Sequence, residues 1–277
     1  MIKNVILGLF VTVILSGCAG RFVPPIENVN LPKQGKIGIH LAMPEHPKHT
    51  HIGTTIFNNF VKDYEYNWQL KEEVFQNLKK QIETNTSYKV VDLSYLEIES
   101  PQQLNFVGVE KKKWVFSQSN QELKQKLLDD GITAVLAISG QRTLAELNCS
   151  QYGCSEHYSE GYGLFTRSFL GMDRYYASSS FFISAELLTQ PIDLGLLDGM
   201  WESSQFQRKN KLIDEFKSPK DFKALTQEEL APVKSEILVY FDEIAGHMSN
   251  YLNGNIQHPK TAKKSNKKTK KKEVTSE

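Results

Sequence analysis

Between residues 36 and 254 the apolar positions alternate between two periods. Ile37, Ile39 and Leu41 are separated by Gly38, His40 and Ala42, the period of two expected for a strand with one buried face. At 100° per residue, Leu70, Val74, Phe75, Leu78 and Ile82 fall within about 140° of arc, with Glu72, Glu73, Gln76, Lys80 and Glu83 outside it, which predicts an amphipathic helix over 67–84. Residues 88–93 (YKVVDL) read as a second strand. Ser94 to Glu97 and Ser100 to Gln103 carry helix-start patterns. Residues 104–117 follow neither period. Asn120 can cap a helix carrying Leu123, Leu127 and Leu128 that stops at Gly131. The near-continuous apolar run 132–138 (ITAVLAI) then suits a strand buried on both faces.

The second half reads differently. Residues 139–148, 174–189 and 195–207 are strand candidates, the last two joined around Gln190 and Pro191 as in an antiparallel meander. Four glycines among Tyr152, Tyr158, Tyr162, Phe165 and Phe169 predict a long loop or extended hairpin over 150–173. Thr226 and Glu229 form a possible capping box. From Leu230 through Val233, Ile237, Phe241, Ile244, Ala245 and Met248 to Leu252 one apolar face persists, so a long helix closes the domain. Pro232 is its first residue or an early kink, and Val239 and Tyr240 lie off the stripe. The expected fold is α/β: a single domain of two or three layers over 36–254, starting βαβαβ, with an antiparallel hairpin and a long C-terminal helix.

The ends differ from this body. Residues 1–17 hold Lys3, an apolar run from Val5 to Leu15 and small residues before Cys18, the layout of an export signal. The run is too short to span a bilayer. Leu15-Ser16-Gly17-Cys18 resembles the lipobox of bacterial lipoproteins, which implies cleavage before Cys18 and acylation there, including a palmitate-type chain. The chain is then lipid-anchored in the cell envelope. If the envelope is Gram-negative, Ala19 resembles the class sorted to the outer membrane, facing the periplasm. Residues 18–35, with Pro24, Pro25 and Pro32, suit a linker.

Charge is nearly balanced over the whole chain, 33 Lys and Arg against 32 Asp and Glu, but residues 18–259 carry 24 basic and 30 acidic residues. The excess of lysine sits in 255–277, which has little apolar content and is expected to be disordered. Lys263, Lys264, Lys267, Lys268, Lys270, Lys271 and Lys272 are candidates for contact with a membrane or polyanion. No aromatic residue interleaves with them, so a nucleic acid partner is not expected.

Candidate chemistry is sparse. His46, His49 and His51 lie with Glu45 in a loop expected after the first strand. They could ligate zinc, copper or nickel, or the imidazoles could bond to backbone or a partner. Pro47 and the absence of H-E-x-x-H argue against a zincin helix. Cys149 and Cys154 are expected to form a disulfide in an oxidising compartment, and with His157 they supply three zinc ligands and no evident fourth. No serine lies in G-x-S-x-G; Ser179, His157 and Asp173 form a triad only by selection, and Asp129 with Asp130 reads as a helix end. No cofactor is implied, and an enzyme is not expected.

The segments 36–43, 67–84, 88–93, 130–138 and 182–203, the last carrying Trp201, follow an order that resembles a group of envelope lipoproteins. These are the curli-secretion lipoprotein, the lipoprotein activators of penicillin-binding proteins and the Tol-protein amino-terminal domain. The resemblance implies a non-enzymatic interaction or assembly factor with an envelope protein partner or a homo-oligomeric state. The alternative is a lipid-anchored metal-binding protein or metallohydrolase using the histidine-rich loop.

Overall fold

The computed structural model describes residues 23–26, 28–98, 101–151, 153–197, 200, 211–213 and 216–256. Residues 1–17, expected as an export signal, with Cys18, Trp201 and the lysines of the tail, lie outside them. The protein is mixed α/β, with a curled mixed sheet and, among the described residues, three α-helices of known extent including a C-terminal one.

Strand β1 (Gly35–Ala42) pairs in parallel with β4 (Tyr88–Asp92) and β7 (Ile132–Gly140). Helix α1 (Leu70–Asn85) precedes β4 and buries Leu70, Val74, Leu78 and Ile82. Helix α2 (Gln121–Asp129) precedes β7. Alternate residues of β7 enter two cores. Ala134, Leu136 and Ile138 join α1 and the C-terminal helix α3 (Ala231–Leu252), whereas Ile132, Val135 and Ala137 join Leu127 of α2, Phe106 and Leu104. Between Leu104 and α2 the segment without a period forms a hairpin of β5 (Val107–Glu110) and β6 (Lys113–Phe116).

The capping box forms: Thr226 N donates to Glu229 Oε2 at 2.8 Å and Glu229 N to Thr226 Oγ1 at 3.2 Å. The regular helix nevertheless begins only at Ala231, so Pro232 lies in its first turn, where its missing N–H costs no bond. Tyr240, off the sequence stripe, is buried because it stacks on Phe181.

The histidine segment departs most from expectation. It is a strand, β2 (Lys48–Ile52), paired antiparallel with β3 (Phe60–Asp63) and parallel with β9 (Gly153–Phe169). The glycine- and tyrosine-rich region 150–173 is extended rather than loop: it forms β9, between β8 (Arg142–Ser150) and β10 (Met172–Leu187), which lie close to the expected strands 139–148 and 174–189. The first half of β9 pairs with β8 and its second half with β10; the second half of β10 pairs with β7. Three two-stranded arms therefore meet near Gln141, Gly161 and Ser180. Gln141 N donates to Ser180 O at 2.9 Å, and Thr143 Oγ1 lies 2.5 Å from Ser180 Oγ. Ser159 and Ser178 also bond through their hydroxyls. Hydroxyl groups thus take up hydrogen bonding where the strands change partners. Beside the junction β2 runs so close to Gly163 (φ +146) that a Cβ there would lie 1.9 Å from Lys48 O.

After β10, β11 (Ile192–Asp193) pairs back on it, but Leu194–Leu196 is a 3₁₀ turn rather than the start of the expected strand 195–207. The Asp193 carboxylate accepts from Gly195 N at 2.8 Å and Ala185 N at 3.2 Å, turning the chain away from the ladder. β12 (Lys211–Leu212) pairs with β10 further along. Part of the expected linker is laid on the body: Tyr88 Oη donates to Pro32 O at 2.7 Å, Gln190 Nε2 to Asn28 O at 2.6 Å and Trp114 Nε1 to Pro24 O at 3.2 Å.

Candidate functional site

One row of the sheet crosses four strands: Phe60 faces His51, His51 faces Thr166, and Thr166 faces Tyr175. A strap of chain from Phe216 to Phe222 covers it, with Phe216 on Tyr175 at 4.7 Å between centroids and Phe222 on His51 at 4.6 Å. His49, two residues back on the same face, is fully buried.

The protonation of both histidines follows from their partners. Tyr64 Oη donates to Phe222 O at 3.3 Å, so it accepts from His49 Nδ1 at 2.9 Å. In a neutral ring His49 Nε2 then accepts, and Thr166 Oγ1 donates to it at 2.9 Å. The threonine has no second hydrogen, so His51 Nδ1 donates to Thr166 Oγ1 at 2.6 Å. Burial, reinforced by His51, pushes His49 down to about 3. Burial lowers His51 as well, partly opposed by Asp173.

Both ring nitrogens of His49 are therefore engaged, which disfavours their use as metal ligands. His46 is elsewhere, with Nδ1 3.5 Å from Tyr66 O. Among the described residues no three histidines, cysteines or carboxylates stand close enough to hold a metal ion. Cys149 and Cys154 form the disulfide, facing each other across β8 and β9 with Cα atoms 4.0 Å apart at the ribbon tip. As a disulfide they are not zinc ligands.

Between this ribbon and β2–β3 lies a cleft of about 410 Å³ lined by Lys48, His51, Phe60, Arg142, His157 and Glu160 among others. Many of its charged groups answer one another. Lys48 pairs with Glu160 at 3.0 Å, Arg142 lies over the Tyr158 ring at 4.1 Å, and Tyr158 Oη donates to Glu156 at 2.5 Å. The structure thus brings His51 and His157 to one cleft and leaves His46 and the disulfide outside its lining.

A second feature escaped sequence reasoning. At the far end of β9 and β10 the two-residue turn Leu170–Gly171 carries φ values of +48 and +80, a conformation that favours Asn-Gly. A leucine there is locally unfavourable, and it is 72% exposed. Phe169 and Met172 flank it, 49% and 64% exposed. Alongside comes the loop after β2, in which Ile56 and Phe57 are 74% and 93% exposed. Leu170 N donates to Thr54 Oγ1 at 3.0 Å, and Arg167, paired with Glu146 at 2.9 Å, donates to Gly53 O at 2.9 Å. Two tips are thereby joined into one apolar apex of five side chains. Fully removing one such side chain from water contributes about 1.5–3 kcal/mol, so this much apolar exposure at one place is a candidate contact surface. The available signal was two apolar pairs set in turn sequence, GTTIFNN and FLGM.

No protein-family profile matches the chain, and no curated protein matches it. Among solved structures it is similar to one described as a "putative neuraminyllactose-binding hemagglutinin homolog" from Helicobacter pylori. The identity is 12% and the TM-score 0.28, over 84% of this chain and 94% of that one. A TM-score of that size carries no argument about fold or function.

Proposed function

We propose that this protein is a lipid-anchored component of the cell envelope that docks a partner and is not an enzyme. The observation that carries the reading is the apolar apex, where an exposed leucine occupies a turn position better suited to asparagine or glycine. A locally unfavourable residue kept at an exposed site is the kind of departure expected of function.

The rest of the chain fits this use. The lipobox-like Leu15-Ser16-Gly17-Cys18 supplies an acylated cysteine, and the chain after it follows the linker onto the body. In a Gram-negative cell the protein would sit on the outer membrane facing the periplasm. The body is read as a βαβαβ core in three layers, α1 and α3 on one face of β1, β4 and β7 and α2 on the other, supported by the parallel registers and the two apolar cores. β10 joins the poles: Gln190, just past one end, holds the linker, and Met172 at the other belongs to the apex.

The test is a photo-crosslinking amino acid placed at Phe57 in intact cells, with a control at exposed Glu122 of α2. Crosslinks to an envelope component at 57 and not at 122 are expected. Equal labelling at both positions, or none at 57, would refute docking through the apex.

A further inference from the structure

We infer that the apex is built to enter the headgroup region of an anionic phospholipid bilayer. This rests on the reading of the apex as the docking pole and names its partner.

The shape favours a lipid surface over a protein groove. The five apolar side chains project from two adjacent turns, and Phe57 and Leu170, the outermost by exposure within their tips, have little covering them. A convex tip offers a partner protein few walls to pack against, whereas a fluid bilayer closes around it. Residues 53–59 contain no charged side chain, so the first loop enters without desolvating an ion. The tips are held before contact by the Leu170–Thr54 bond and by Arg167 on the Ile52 and Gly53 carbonyls. Insertion then orders little additional chain.

Charge points the same way. Behind the tips the strap is seated by Ser218 Oγ on Asp173 at 3.4 Å and by Phe222 on His51. It carries exposed Lys217 and Lys220, and exposed Lys223 follows it, 5.3 Å from the Phe60 ring centroid. Arg174 is exposed three residues past the turn, and Lys62 bonds to Lys223 O. The described acids among them are Asp173, bonded to Tyr175 and Ser218, and Asp221, which accepts from Lys223 N. Among the described residues five cations stand against these two carboxylates, forming a basic collar on a body whose overall charge is acidic. Apolar tips ringed by Lys and Arg suit an anionic interface. Because the linker is held at the other end of β10, the apex of an anchored molecule meets a facing lipid surface rather than the one holding its acyl chains.

The full mature chain with Cys18→Ser, mixed with vesicles of phosphatidylglycerol and phosphatidylcholine or of phosphatidylcholine alone, tests this. Binding to the anionic vesicles is expected to fall about tenfold or more in Phe57→Ser/Leu170→Asn, while the lysine tail contributes equally to both proteins. In Phe57→Trp, brominated lipid in the anionic vesicles should quench emission beyond the quenching seen without this substitution. Equal binding of parent and double variant, or no added quenching at position 57, overturns lipid insertion. Apex-dependent dimers without vesicle binding overturn it in favour of a second copy. A protein crosslink at 57 in cells without vesicle binding overturns it but leaves apex docking standing.

Discussion

Thr166 and His51 face each other across the parallel pair of β9 and β2, and the threonine hydroxyl accepts from His51 Nδ1 at 2.6 Å. That contact starts a relay through His49 to Tyr64 in which each donor and acceptor is assigned. The relay holds two imidazoles neutral inside an aromatic cluster, and it makes stability depend on pH. His49 has a folded value near 3 against an ordinary 6.5. Below 6.5 the unfolded chain takes up a proton that the folded chain refuses, so stability is full above that pH and falls as pH drops toward 3. Urea melts should lose about 1.4 kcal/mol per pH unit from this group below 6.5. Thr166→Val, which orphans a nitrogen on each ring, should cost about 2–4 kcal/mol at pH 7.5. Glu186 titrates in the opposite sense over part of this range, so the profile is read in Glu186→Gln, where a flat response between pH 7 and 4.5 would contradict the assignment.

Glu186 works in the opposite sense. Burial, then Asp193, raises it to about 8, while Phe106 N at 2.6 Å and Val107 N at 3.0 Å bond to Oε2 and oppose the rise. The folded chain holds the proton up to about pH 8 and the unfolded chain releases it near 4.5, so stability declines as pH rises between those values. Glu186→Gln keeps an acceptor oxygen and should exceed the parent in stability at pH 8 but not at pH 4.5. Glu186→Ala should lose about 2 kcal/mol by orphaning the two amides. Denaturant melts of both variants at the two pH values check this.

The disulfide closes the tip of the β8–β9 ribbon, so its removal should affect that tip alone. In the chain-entropy account so short a loop contributes about 2 kcal/mol. Cys149→Ser/Cys154→Ser is expected to speed amide exchange near residues 148–156 and leave β10 protected. Free-thiol titration of the unreduced, denatured parent should find neither cysteine reactive. Loss of protection in β10 would show that the ribbon supports the core.

Leu170→Asn should stabilise the protein by up to about 1 kcal/mol, because asparagine tolerates the left-handed conformation better than leucine. A thermal melt shows whether it does. A variant that is more stable and less able to dock would separate the two demands on this residue.

What the sequence made legible was local. The alternation at Ile37, Ile39 and Leu41 and the stripe of Leu70, Val74, Leu78 and Ile82 depend on one strand or helix meeting one core, so period alone locates them. His49 and His51 could not be placed that way. They are polar, and they are interior only because the strap at Phe216–Phe222, over 160 residues away in sequence, covers them. β9 was obscured by Gly161 and Gly163 near the junction, which carry positive φ and interrupt its alternation, whereas β10 matches the strand expected over 174–189. The apex was hidden for the reverse reason, since hydrophobicity does not distinguish Phe57, open to solvent, from Phe106, fully enclosed.

The proposed arrangement is a body held by lipid at one end and docking through apolar tips at the other. The most direct measurement is membrane fractionation of cells expressing the parent, Cys18→Ser, Phe57→Ser/Leu170→Asn, or all three substitutions, before and after a high-salt wash. Acyl chains hold against salt, whereas an exposed, charge-assisted contact weakens in it. The parent and the apex variant should stay in the pellet throughout. Cys18→Ser should be retained in part at low salt and released by the wash, and the triple variant, left with the lysine tail alone, should be retained less than Cys18→Ser at low salt. Cys18→Ser remaining in the pellet after washing, or the triple variant binding as well as Cys18→Ser at low salt, would contradict the account.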